Sequence, residues 1–223
     1  VSFGSSRFCL VDRGIIFAIA HVRGGGELGD HWHEESKFSK KINTFKDYIS
    51  CCNYLIEKKY TFKGGICFLG GSAGGLTGSA VANIAPELFF SMVLLVPFCD
   101  PLTTMLNEKL PLTPSEWELW GNPIKSKKYF KTILSYAPYN NLRKTSYPPM
   151  FVTTSLFDSR VLYSEPVKYV AKLRELKGDK NLQLLKCKMK AASHGGPSGR
   201  DNSIKELAEE FSYILKTAKI KSY

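Results

Sequence analysis

Gly65-Ile66-Cys67-Phe68-Leu69-Gly70-Gly71-Ser72-Ala73-Gly74-Gly75-Leu76 is the stretch whose reading decides the fold. Its first five residues form an apolar, strand-like run, and residues 76–85 that follow read as a helix. Between the two stands a serine in the pattern G-x-S-x-G. A serine at so sharp a strand-to-helix turn takes strained backbone angles, and its neighbours must be small for the two arms to pack. Gly70, Gly71, Ala73, Gly74 and Gly75 meet that demand. A glycine-rich turn with an incidental serine would carry the same letters. The strand pattern before it and the helix pattern after it favour the other reading, which makes Ser72 the first candidate nucleophile.

A serine hydroxyl attacks poorly until a base takes its proton, and that base needs an acid to hold its tautomer. In the hydrolase fold that uses this turn, the chain order is serine, then acid, then histidine, each in a loop just past a strand. Residues 149–156 (PMFVTTSL) are apolar and β-rich, and Asp158 follows directly. In isolation Asp158 reads equally well as the cap of a helix over 161–176. The next strand candidate, 182–187, is followed by Ser193-His194-Gly195-Gly196. The chain has four histidines, His21, His31, His33 and His194, and only the last lies downstream of both Ser72 and Asp158. Order along the chain therefore selects it.

Outward from these residues the pattern alternates. Strands are expected over 15–21, 66–69, 92–96, 150–155 and 182–187, with at most a short one over 7–10. Helices are expected over 44–58, 76–85, 165–176 and about 203–216, and the proline-rich section 97–147 reads as irregular. Strands separated by helices predict a mainly parallel α/β sheet covered on both faces. At 223 residues the chain reads as one domain or most of one.

A net charge of +11 raises the question of nucleic acid, but only seven of the 31 basic residues are arginine and the lysines are spread along the chain. A lysine-heavy surface is the better account, and no nucleic-acid partner is expected. No apolar run reaches the length of a membrane span, and 14–22 reads as a buried strand rather than a signal-peptide core. The six cysteines lack metal spacing. Cys9, Cys67 and Cys187 fall in strand-like runs, which suggests buried free thiols and a cytoplasmic setting. His31, His33, Glu34 and Glu35 offer a weak metal-site alternative on a loop or helix start.

The chain resembles the prolyl oligopeptidase family of serine peptidases, and within it the oligopeptidase B (protease II) branch. The likeness is carried by 21–29 (HVRGGGELG), 43–45 (NTF), the 70–75 turn, 96–98 (VPF), 103–106 (TTML) and 111–113 (PLT). It continues through 116–118 (EWE), 120–123 (WGNP), 135–139 (SYAPY), 158–161 (DSRV), 171–177 (AKLRELK), 194–196 (HGG) and 198–200 (SGR). The resemblance implies an α/β-hydrolase fold, cleavage of short peptides after Arg or Lys, and no cofactor or metal. It makes Ser72 the nucleophile, Asp158 the orienting acid and His194 the general base, with the Ala73 N–H as an oxyanion donor. Glu116 and Glu118 match carboxylates that hold the basic side chain, and Arg160 matches a residue that holds the substrate backbone. Taken alone, Glu116 and Glu118 read as a solvated acidic turn and Arg160 as half of a surface ion pair.

Against that pattern, residues 1–223 are expected to be an N-terminally truncated catalytic domain, without the β-propeller, the first sheet strands or a tyrosine that supplies a second oxyanion donor in relatives. Four residues separate Met189 from His194 where three are expected, with basic Lys190 in place of an acid. The readings left open are an active peptidase, alone or with a separate propeller fragment; an inactive or split-gene remnant; and a small esterase or acyl hydrolase.

Overall fold

The computed structural model describes residues 4–190, 192–196 and 198–220. Four strands, β1 (Ile66–Gly71), β2 (Phe89–Leu95), β3 (Met150–Ser155) and β4 (Gln183–Lys188), make one sheet in that order, with every neighbouring pair parallel. In chain order the α-helices among the described residues are α1 (Phe8–Val11), α2 (Asp30–Glu34), α3 (Ile42–Glu57), α4 (Ala73–Ile84) and α5 (Pro101–Met105). They continue with α6 (Thr113–Trp120), α7 (Lys127–Tyr136), α8 (Ser164–Leu176) and α9 (Arg200–Thr217).

Side chains alternate across a strand, so a sheet covered on both faces needs apolar residues at successive positions. β2 supplies them. Met92 and Leu94 join Phe68, Leu76, Met150, Val152 and Leu173 in one buried cluster, beneath α3, α4 and α8. Val93, between them, joins Phe151 and the α9 residues Phe211 and Ile214 on the opposite face. This is the mainly parallel, helix-flanked architecture that the alternating pattern predicts.

Three expectations are corrected. Residues 15–20 form no strand with any described residue, and Ile16 and Ile19 are 63% and 46% exposed. A strand is defined by its ladder partner, and apolar alternation alone does not supply one; Ile15 and Phe17 pack inward, and the Ile15 N–H donates to Leu10 O (3.1 Å) within its own segment and not to a neighbouring strand. The short strand proposed over 7–10 is helical: a 3-10 turn, Ser5–Arg7, runs into α1. Cys9 therefore lies exposed on a helix instead of buried in a strand. Section 97–147 is not irregular, since it holds α5, α6 and α7. Pro101 and Pro114 stand in the first turns of α5 and α6, where a missing N–H costs nothing, so they start helices.

The His31–Glu35 run is taken up by ordinary contacts. His33 Nδ1 lies 3.0 Å from Gly24 O, while Glu34 and Glu35 pair with Lys37 and Lys40. Among the described residues no group of three or more His, Cys, Asp or Glu is disposed to hold a metal, and no helix is long and apolar enough to cross a membrane.

Candidate active site

The loops after β1, β3 and β4 open on the same end of the sheet, the carboxyl ends of the parallel strands, where α/β folds build their sites. Ser72 follows β1 with φ 54° and ψ −121°. Such angles are costly for a residue with a Cβ, on the order of 1–3 kcal/mol, and hold only where the surroundings fix them. Here the Ser72 N–H donates to Leu95 O (2.9 Å), and its carbonyl accepts from Leu76 N–H (3.0 Å) and Phe98 N–H (3.1 Å). The turn is thus pinned to the end of β2, and the serine side chain projects into a cleft.

Ala73 begins α4, so its N–H is one of the first amides of a helix and has no intrahelical acceptor. Together with the helix dipole it makes this corner a place for developing negative charge.

Asp158 lies in the loop after β3 with its side chain wholly buried. Oδ1 accepts from the Arg160 and Val161 N–H groups (2.8 and 3.0 Å), and Oδ2 lies 2.8 Å from His194 Nδ1. The helix-cap reading does not hold, since α8 starts at Ser164 with Tyr163 at its N-cap. A carboxylate only accepts, so the proton between the two groups sits on Nδ1 and the Nε2 lone pair is free. His194 is half-buried on a loop held from below: Ser155 Oγ, fully buried, donates to Ala192 O (2.7 Å). Gly196 turns the loop at φ 94°, and a Cβ there would meet Glu206 Oε2 at 2.7 Å. Glu206 is paired in turn with Lys188 at 2.5 Å. The longer spacing before His194 therefore does not separate it from Asp158; Ala191 itself lies outside the described residues. Among the described residues no hydrogen bond joins Ser72 Oγ to the imidazole, and Ser72 lies half-buried at the cleft.

The cleft beside Ser72 encloses about 110 Å³, several times the roughly 10–15 Å³ that one water needs. Ser72 and Ala73 form its floor; α5, α6 and the turn between them form one wall, and residues 159–162 the other. Glu116 and Arg160 both line it. Glu116 Oε2 accepts from Trp120 Nε1 (2.9 Å), one helical turn along. Lys41 lies over the Trp120 ring, 5.0 Å from its centroid, and burial lowers its ammonium to about 8. Arg160 is exposed and forms no ion pair with any described residue, so its guanidinium is available to a ligand.

Glu118 does not join Glu116. Two residues apart on a helix is a rotation of roughly 200°, and Glu118 faces solvent away from the cleft. Trp120 is a site residue that composition does not reveal. Its only sequence signal is the four-residue spacing from Glu116 on one helix face.

The sequence profile of the prolyl oligopeptidase family matches residues 1–221. The chain belongs to the prolyl oligopeptidase family of serine peptidases. It is 46% identical over 214 residues to dipeptidyl aminopeptidase BI of Pseudoxanthomonas mexicana, covering 96% of this chain and 29% of that protein. Protease 2 of Moraxella lacunata is 47% identical over 213 residues, covering 96% of this chain and 31% of the relative. Oligopeptidase B from Leishmania major superimposes with a TM-score of 0.94 at 43% identity, over 97% of this chain and 30% of that one. The chain thus spans under a third of the length of these family members, and the domain it forms is an α/β-hydrolase domain.

Proposed function

We propose that residues 1–223 form the catalytic portion of a serine oligopeptidase that cleaves short peptides after Arg or Lys. The observation that carries the reading is the 2.8 Å contact between buried Asp158 and His194 Nδ1, on the same sheet end as the strained Ser72. In this reading Ser72 Oγ attacks the scissile carbonyl as His194 Nε2 takes its proton. Asp158 holds the tautomer and stabilises the imidazolium. The carbonyl oxygen gains its negative charge beside the Ala73 N–H. The tetrahedral intermediate collapses when His194 returns the proton to the leaving amine, and water repeats the sequence on the acyl-enzyme. Arg160 is the candidate for holding the substrate backbone.

The basic specificity rests on Glu116. A carboxylate in a cleft next to the nucleophile, partnered among the described residues by an indole N–H alone, retains acceptor capacity for a guanidinium or ammonium group. A propeller segment, on the same polypeptide or a separate one, would gate the site against folded proteins. The test is hydrolysis of an arginyl reporter by wild type and by Glu116→Gln. The variant is expected to lose on the order of 10²-fold in kcat/KM, as for a buried charge-assisted pair. Equal rates in the two proteins would refute the pocket assignment.

A further inference from the structure

The cleft has two walls far apart in the chain, residues 98–120 and residues 159–162. One buried carboxylate joins them. Glu165, on α8 directly behind the second wall, is 2% exposed, and its N–H donates to Leu162 O (2.9 Å). Its Oε2 accepts from the Asp100 N–H (2.9 Å) and its Oε1 from the Thr104 hydroxyl, both on the first wall. Asp100, wholly buried, caps α5 by accepting from Thr103 N–H (3.3 Å) and pairs with Lys168, one turn beyond Glu165. Lys168 Nζ also lies 4.7 Å from the centroid of the Tyr139 ring.

The linkage runs on from α5 to α6. Thr104 O accepts from Thr113 Oγ1 (3.0 Å), and Met105 O accepts from Trp117 Nε1 (3.1 Å). Glu116 rides on that helix. Two buried carboxylates facing one ammonium are expensive compared with an apolar plug of the same volume. An apolar plug would fill the space without fixing the separation of the two walls; hydrogen bonds to the Asp100 N–H and the Thr104 hydroxyl do fix it.

We propose that Glu165 is a positioning residue for the basic-side-chain pocket, holding α5 and α6, and with them Glu116, at a set distance from the 159–162 wall. It governs how tightly a substrate guanidinium or ammonium group is bound, not how fast the bond breaks. This rests on the oligopeptidase reading above and extends it to a residue outside the cleft.

The test uses the intact protein and two ester reporters with the same leaving group, one with an arginyl acyl group and one uncharged. Glu165→Met keeps the length but accepts no hydrogen bond, whereas Glu165→Gln keeps an acceptor for the Asp100 N–H and a donor for Thr104 Oγ1. Glu165→Met is expected to raise KM for the arginyl reporter about tenfold, with its kcat and the uncharged reporter's kcat/KM changed less than about twofold. Glu165→Gln is expected to bring KM back close to wild type. Unchanged KM in Glu165→Met, or an equal loss on both reporters, would overturn the proposal. If circular dichroism shows that Glu165→Met does not fold, Lys168→Met, which frees Asp100, takes its place with an expected rise of about threefold and the same contrast between reporters. Wild-type protein that hydrolyses neither reporter overturns the oligopeptidase reading and this proposal with it; a normal wild type with an indifferent Glu165→Met overturns this proposal alone.

Discussion

At the scale of single residues, the turn around Ser72 separates two glycines that the demand for small neighbours treats alike. A Cβ on Gly75 would stand 2.5 Å from Pro97 Cβ and 2.6 Å from Pro97 Cα, where nothing flexible can yield. A Cβ on Gly74 would meet nothing within 4 Å. Neither glycine has a positive φ, so the demand is for space at Gly75 and for nothing at Gly74. Gly75→Ala is therefore expected to lose about 1–3 kcal/mol of stability through overpacking, while Gly74→Ala stays within about 1 kcal/mol of wild type. Chemical denaturation of the two variants checks this, and equal destabilisation would contradict it. Ser72 itself adopts the strained angles that the sequence pattern anticipates, held by hydrogen bonds to Leu95, Leu76 and Phe98.

At the scale of elements, legibility followed how local the causes are. β1, the turn and α4 are specified within about twenty residues by an apolar run, small residues and a helical pattern, and the sequence reading found them. β3 and β4 were equally plain, since their apolar residues face packed helices on both sides. His194 was selected by chain order, and the structure sets it against Asp158. α5 and α6 were hidden because prolines at their first turns look like breakers until the start is known. The apolar run 15–21 has a strand's pattern but no ladder among the described residues, because pairing is a property of two segments. Glu165 was invisible for the same reason: its partners lie 61 and 65 residues away.

That carboxyl also makes a pH prediction. Burial, with nearby Asp100 adding to it, pushes Glu165 up to about 7 against the hydrogen bonds from Thr104 and the Asp100 N–H. A group with a raised folded value contributes stability that is full below its unfolded value near 4.5 and is lost as pH rises through about 7. The whole effect is on the order of 3 kcal/mol. The stability of wild type minus that of Glu165→Gln is thus expected to fall between pH 5 and pH 8, measured by denaturation of both proteins at each pH. A difference that is flat or that grows with pH would refute the assignment.

At the scale of the whole molecule, one parallel sheet sets Ser72, Asp158 and His194 at the same sheet end although Ser72 and His194 stand 122 positions apart in the chain. Parallel strands put all their carboxyl ends on one side, so a residue placed just after each strand meets the others without any local signal linking them. The wall of α5 and α6, inserted between β2 and β3, then lines the cleft beside Ser72 and carries Glu116. The proposed peptidase activity requires Ser72 to be a nucleophile activated by the Asp158–His194 pair. Intact mass spectrometry after exposure to a small fluorophosphonate tests this directly. The account predicts one phosphonyl adduct per chain, mapped to Ser72, absent in Ser72→Ala and formed more slowly by on the order of 10³-fold or more in His194→Ala. An unlabelled wild-type protein, or labelling indifferent to His194, would contradict it.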